Sequence, residues 1–419
     1  MNVLVLTSFF PPEVMGCGHL YHELAETLVK EGHRVTVITS IPRRRLPNDV
    51  KKQYRGKLLL REMMDGIRVI RVGVIPLPLD VPVTRGIDHF LSALTYLIGG
   101  LLSLEQDVTI VYSPPLTLGL TSYMLGRLGK IPFVLNVQDI FPRYVVDIGA
   151  LRNPFLIRLF EHIESFVYSK ATYISVHSPG NRDYLVSQGV DPGKLMVIPN
   201  WTDVDSIQPS EKLNEFRVEH NLNGLFIVSY VGTMGQAQDV DVIVECAVLL
   251  REYTDMLFLL VGEGSEKKRA RRKAEALALD NVRFLPIQSR EEYPSVLYAS
   301  DVCLANLRKE ITTPVVPSKI LNIMASGRPV IASLPPDGDA PRIVQEAKCG
   351  FCVEAGDAHG LARAIVKLYN DRDLAEILGR NGRLYAEKNF SRALCVGRYE
   401  ELLIEAARSL ESTSVPVRR

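Results

Sequence analysis

Three places in the chain set chemistry-bearing residues beside a turn. In Pro317-Ser318-Lys319, two helix-start residue types stand next to an ammonium, ahead of Ile320, Ile323 and Met324 at three-and-four spacing and of Gly327 as a stop. The pattern predicts a short helix with Pro317 at its first position or Ser318 as its cap. Unpaired N–H groups at such a start, the positive end of the helix dipole and the Lys319 ammonium would together hold a phosphate. An ordinary cap with a solvated lysine explains the same residues. The second place is Gly232-Thr233-Met234-Gly235-Gln236-Ala237-Gln238, after an apolar run at 225–231 and before a helical pattern from Val242, which again suits a phosphate-facing turn. The third is Gln138-Asp139, closing the apolar run 133–137, where Asp139 is either a titrating catalytic group or a plain cap or turn residue.

The elements that must position these groups alternate between buried strands and amphipathic helices. A strand at 2–7, continuously apolar over 3–6, leads through Phe10-Pro11-Pro12-Glu13-Val14-Met15-Gly16 into a helix with Leu20, Leu24 and Leu28 on one face and Gly32 as its stop, then into a strand at 35–39. This is a βαβ unit whose glycine-bearing first turn faces the ligand crevice of a doubly wound sheet. It lacks G-x-G-x-x-G, which argues against a dinucleotide dehydrogenase. After a polar, mixed connection at 202–224, a second alternating set begins at the 225–231 strand.

At 419 residues the chain has room for two domains with their own cores. Its 47% hydrophobic and 23% charged residues suit a soluble globular protein, and a charge balance of +4 over residues 1–200 and −3 over the remainder is too mild for a nucleic-acid binder. Six cysteines show no metal-like repetition, and Cys349-Gly-Phe-Cys352 has no second pair, so a buried strand pair in a reducing, cytoplasmic compartment is expected. A strand directly at the start predicts no signal peptide. Residues 42–57 hold seven basic residues and one acid, a solvated loop or an attraction to an anionic membrane surface. The apolar run 90–104 is too short to span a bilayer; it predicts a buried helix or one that dips into the interface of the inner membrane face. The basic helix pattern at 265–277 reads as a solvated outer face.

Several of these stretches resemble the family-four retaining glycosyltransferases of GT-B fold. Met324-Ala-Ser-Gly-Arg-Pro-Val-Ile-Ala332 is close to the family's donor-site segment, the 10–16 stretch resembles its F-P-P-E-x-x-G opening, and Val197-Ile-Pro-Asn200 and Asn281-Val-Arg-Phe-Leu285 match further motifs. The resemblance implies two doubly wound Rossmann-like domains facing a cleft: an acceptor-side domain over 1–203, a donor domain over 204–390, and a final helix and tail over 391–419. It further implies a nucleotide-sugar donor as co-substrate, with no cofactor and no metal. In that frame the Gly16 and Gly232 backbones lie against the donor diphosphate, and Pro286 to Gln288 hold the base. Thr233, Ser318 and Lys319 assist departure of the diphosphate, and Asn322 lies near the ribose or phosphate.

The chain also departs from the family pattern. Thr233 and Gln238 stand where an arginine and a lysine are usual, Pro314 and Asn322 where two glutamates are, and Gln138 where many members have a histidine. Pro317-Ser318-Lys319 and G-T-M-G-x-A-Q resemble the bacterial O-antigen and capsule amino-sugar branch, implying a UDP-linked N-acetylated hexose and a polyprenyl-diphosphate-linked glycan acceptor at a membrane surface. Two alternatives follow from the missing groups: a UDP-sugar epimerase of GT-B fold and a non-catalytic partner subunit.

Overall fold

The computed structural model describes residues 1–13, 18–42, 46, 48–73 and 82–413. The chain divides into two compact α/β units, one made of Met1–Pro199 with the chain from Cys395, the other of Asn200–Leu394.

In the first unit, β1 (Asn2–Leu6), β2 (Arg34–Ser40), β3 (Leu59–Met64), β4 (Ile67–Val72), β5 (Val108–Ser113), β6 (Phe133–Val137), β7 (Tyr173–Val176) and β8 (Leu195–Val197) form one sheet. Its order is β3-β4-β2-β1-β5-β6-β7-β8. β5 and β6 are buried along their whole length, as strands covered by helices on both faces must be. All pairs are parallel except β3 with β4, a hairpin whose turn residues Asp65 and Gly66 both have positive φ. The order reverses between β1 and β5, which opens a crevice at the carboxyl ends of those strands.

Residues 90–101 of the apolar run 90–104 fall in the helix Pro82–Leu101, and the expectation of a buried helix needs correcting. One face packs: Tyr96 is buried, and the backbone at Gly99 and Gly100 sits close against Val72 and Leu125. The other face carries Leu94 and Ile98, 58% and 61% exposed. Among the described residues, no helix is long and apolar enough to cross a membrane.

The second unit holds β9 (Phe226–Val231), β10 (Met256–Val261), β11 (Val282–Leu285), β12 (Val302–Asn306), β13 (Val330–Leu334) and β14 (Gly350–Glu354), all parallel, in the order β11-β10-β9-β12-β13-β14. This order reverses between β9 and β12, so the second crevice starts where β9 ends. The helix Ser318–Ala325 connects β12 to β13 and buries Ile320, Leu321, Ile323 and Met324. On the basic helix Lys267–Ala276, Arg269 pairs with Asp241 and Glu266, Arg271 with Glu275 and Lys273 with Glu245, a solvated face laced by ion pairs.

Candidate functional site

A cavity of about 290 Å³ lies at the end of β9 and is lined by Gly232, Thr233, Gln238, Ser318, Lys319 and Asn322 together with Tyr293. Glycine is needed at its rim: Gly232 has a φ of 131°, and a Cβ on Gly262, at the end of β10, would stand 1.8 Å from the Gly232 carbonyl oxygen. On the opposite wall Pro317 occupies the cap position, extended at φ −62° and ψ 122°, and Ser318 is the first helical residue. This corrects the expectation of Pro317 at the first helical position or Ser318 as cap. Among the described residues no side chain caps the helix; the Ile320 N–H donates to the Pro317 carbonyl at 3.0 Å, and the Ser318 and Lys319 N–H groups are left for another acceptor.

Lys319 closes the floor of this cavity. Its Nζ donates to Tyr230 Oη at 2.8 Å and lies 4.3 Å from the centre of that ring, while Tyr230 Oη donates to the Thr233 carbonyl at 2.7 Å. Burial pushes the Lys319 ammonium down to about 8 and the Tyr230 phenol up. Among the described residues no carboxylate pairs with Lys319. A cation partnered only by a neutral phenol keeps much of its desolvation cost, which an entering anion would offset.

Two amides shape the remaining wall. Gln238 folds back on its own turn, Oε1 accepting from the Gly235 N–H at 3.0 Å. Asn322 Oδ1 accepts from Thr202 Oγ1 at 2.7 Å, and its Nδ2 donates to Tyr293 Oη at 3.3 Å. Sequence reasoning did not single out Tyr230, Tyr293 or Thr202. Tyr230 offered a signal, as a phenol within a strand that is buried along its whole length.

The other sequence-predicted residues lie elsewhere. Pro286 and Gln288 follow β11, two strands from β9 at the same carboxyl edge, outside the cavity lining; Gln288 Nε2 donates to the Pro286 carbonyl at 3.1 Å. Gln138 and Asp139 belong to the first unit, at the end of β6. Gln138 is 8% exposed and its Nε2 donates to Asn136 Oδ1 at 2.8 Å; Asn136 donates in turn to Ser175 and Tyr399. Burial pushes the Asp139 carboxyl up to about 6. Gly16 lies outside the described residues.

The first unit has its own cavity of about 290 Å³ at the ends of β1, β2 and β5, lined by Glu13, Asp88, His89, Ser92, Tyr96 and Tyr112 among others. Glu13 and Asp88 are buried there. Asp88 and His89 went unnoticed in the sequence because they stand at the edge of the apolar run. Among the described residues, no three His, Cys, Asp or Glu side chains gather in a way that could hold a metal.

Comparison with known proteins bears on both units. The glycosyl transferase 4-like domain matches residues 16–201, and the family described as glycosyl transferases group 1 matches residues 212–385. A colanic acid biosynthesis glycosyl transferase of Escherichia coli K12, WcaI, is 25% identical over 78% of this chain and 82% of its own length. The UDP-Gal:alpha-D-GlcNAc-diphosphoundecaprenol alpha-1,3-galactosyltransferase of Escherichia coli is 23% identical over 72% of this chain and 76% of its own. The structure of Anabaena Alr3699/HepE in complex with UDP and glucose has a TM-score of 0.74 at 16% identity, covering 97% of this chain and all of that one. With one family model on each doubly wound unit and relatives of the same class across most of its length, the chain belongs to the glycosyltransferases of GT-B fold.

Proposed function

We propose that the protein is a retaining glycosyltransferase that moves a sugar, an N-acetylated hexose, from a UDP-sugar to a polyprenyl-diphosphate-linked glycan in the synthesis of a surface polysaccharide. The observation that carries the donor half is the β9 cavity, where a helix start, a glycine turn and an ammonium converge, the first without a side-chain cap and the last without a carboxylate partner among the described residues. Each of these favours a diphosphate. In this reading the acceptor hydroxyl attacks on the face from which UDP departs, and Lys319, Ser318 and Thr233 stabilise the charge that grows on the leaving phosphate. The family's arginine and lysine are absent at Thr233 and Gln238, which leaves Lys319 as the cation among the described residues that line the β9 cavity.

The acceptor half rests on the first unit. Its cavity sets the buried carboxyls of Glu13 and Asp88 beside serine and tyrosine hydroxyls, a lining that suits the hydroxyls of a sugar. The galactosyltransferase relative, whose name specifies a diphosphoundecaprenol-linked acceptor, favours a lipid-linked glycan. So does the outer face of this unit. Besides Leu94 and Ile98, Met124 and Leu128 on the neighbouring helix Thr117–Gly129 and Phe155 and Phe166 on Pro154–Lys170 are exposed. These helices pack side by side, with Tyr123 edge-on to Phe166 at 5.2 Å. Lys51, Lys52, Arg55, Lys57 and Arg61 are exposed on the same unit, a charge suited to anionic lipid; Arg43, Arg44 and Arg45 of the basic stretch lie outside the described residues. Incubation with labelled UDP-N-acetylhexoses and a polyprenyl-diphosphate sugar tests the proposal: labelled lipid-linked product supports it, and free sugar or an epimerised nucleotide sugar in its place counts against it.

A further inference from the structure

Tyr293 begins the helix Tyr293–Tyr298 and lines the β9 cavity beside Lys319 and Asn322. Its hydroxyl oxygen accepts from Asn322 Nδ2 at 3.3 Å. Asn322 is held in that orientation because its Oδ1 accepts from Thr202 Oγ1 at 2.7 Å, and Thr202 is only 2% exposed. The three groups form a directed relay: Thr202 donates to Asn322, and Asn322 donates to Tyr293. A phenol that accepts still has one proton to give, and among the described residues no acceptor takes it. Burial raises this phenol further above neutrality, so the proton stays in place.

We infer that Tyr293 is a donor-substrate binding residue whose hydroxyl, aimed by the Thr202–Asn322 relay, donates a hydrogen bond to a phosphate oxygen of the bound nucleoside diphosphate. A phosphate oxygen is an acceptor only, which is what a spent acceptor and free donor such as Tyr293 needs; a ribose hydroxyl can donate as well and would not demand this arrangement. Asn322 then acts as a positioning residue. Its side chain is engaged at both ends by protein and does its work on the ligand through Tyr293.

The inference rests on the reading of the β9 cavity as the donor site, and the test separates the two. UDP is titrated calorimetrically into the full chain and into Tyr293→Phe, Thr202→Val, their double variant and Lys319→Ala, with thermal melting as a check that each is folded. Tyr293→Phe is expected to weaken UDP roughly tenfold, the loss of one hydrogen bond to a charged group, with only a small drop in melting temperature from the Asn322 amide that it leaves unpaired. Thr202→Val frees the Asn322 amide to turn and take the Tyr293 proton, so it should weaken UDP about threefold, and this effect should vanish in the Tyr293→Phe background. Wild-type affinity in Tyr293→Phe alongside a loss in Lys319→Ala overturns the Tyr293 assignment and leaves the donor site standing. Additive losses in the double variant overturn the relay, and failure of the wild-type protein to bind UDP overturns the donor site and this inference with it.

Discussion

With its proton held only to about pH 8, Lys319 is charged at neutrality by a narrow margin, and anything that binds as an anion must raise that value. In the free protein the ammonium is present below pH 8 and lost above it, so UDP should bind with constant strength near pH 7, weaken as pH rises through 8, and take up protons on binding there. Asp139 works in the opposite direction, since burial places its ionisation near 6 and the carboxylate is complete only above that. If both groups serve the reaction, kcat/KM rises through pH 6 and falls through pH 8, and a profile flat across either limb removes that group from the chemistry. Lys319→Ala should lower kcat by about 10²–10³-fold, as loss of a charge-stabilising donor does, and weaken substrate binding less. Steady-state kinetics on the variant would check the split. Lys319, Ser318, Gly232 and Thr233 were legible in the sequence because each sits in a short contiguous pattern that ends a strand or starts a helix. Tyr293 and Thr202 were not, because the bonds that define their roles join residues 29 and 120 positions away in the chain.

At the scale of elements, the cavity depends on two strand-end turns that approach within a distance only glycine allows. Gly262→Ala would drive a methyl group into the Gly232 carbonyl and force apart the turn that Thr233 and Gln238 stand on. Denaturant unfolding should show a loss of more than about 2 kcal/mol, and UDP affinity should fall with it; unchanged stability would mean the turns are looser than described. Most buried strands were readable as apolar runs alternating with helices, whereas the β3–β4 hairpin and the strand order, set by pairing between distant segments, were not. The start of the Ser318–Ala325 helix was missed by one residue for a simple reason. Proline's φ near −65° fits both the cap and the first helical position, and only ψ, here 122°, separates them. The helix Pro82–Leu101 was misjudged because a run apolar on every side conceals which face packs. Glycines 99 and 100 mark the face that lies against neighbouring elements.

For the whole molecule, a formal charge of +1 hides an uneven distribution, with five exposed basic residues between Lys51 and Arg61 on the unit that also exposes apolar helix faces. Flotation with vesicles should recover the protein with anionic lipid and less with neutral lipid, and more weakly at high salt. Leu94→Ser with Ile98→Ser should reduce recovery while leaving UDP affinity intact; equal recovery by the double variant would remove this face from membrane binding. The family and the two-unit architecture were legible because the motifs recur in order along the chain, whereas the apolar face emerges only when three helices lie side by side. The central claim is that the β9 cavity binds the diphosphate of a UDP-linked sugar through Lys319. Calorimetric titration of UDP at pH 7 into the wild-type protein and into folded Lys319→Ala tests it most directly. Clear binding by the first and at least tenfold weaker binding by the second are expected. Equal affinity in both, or a folded wild-type protein that ignores UDP, would contradict it.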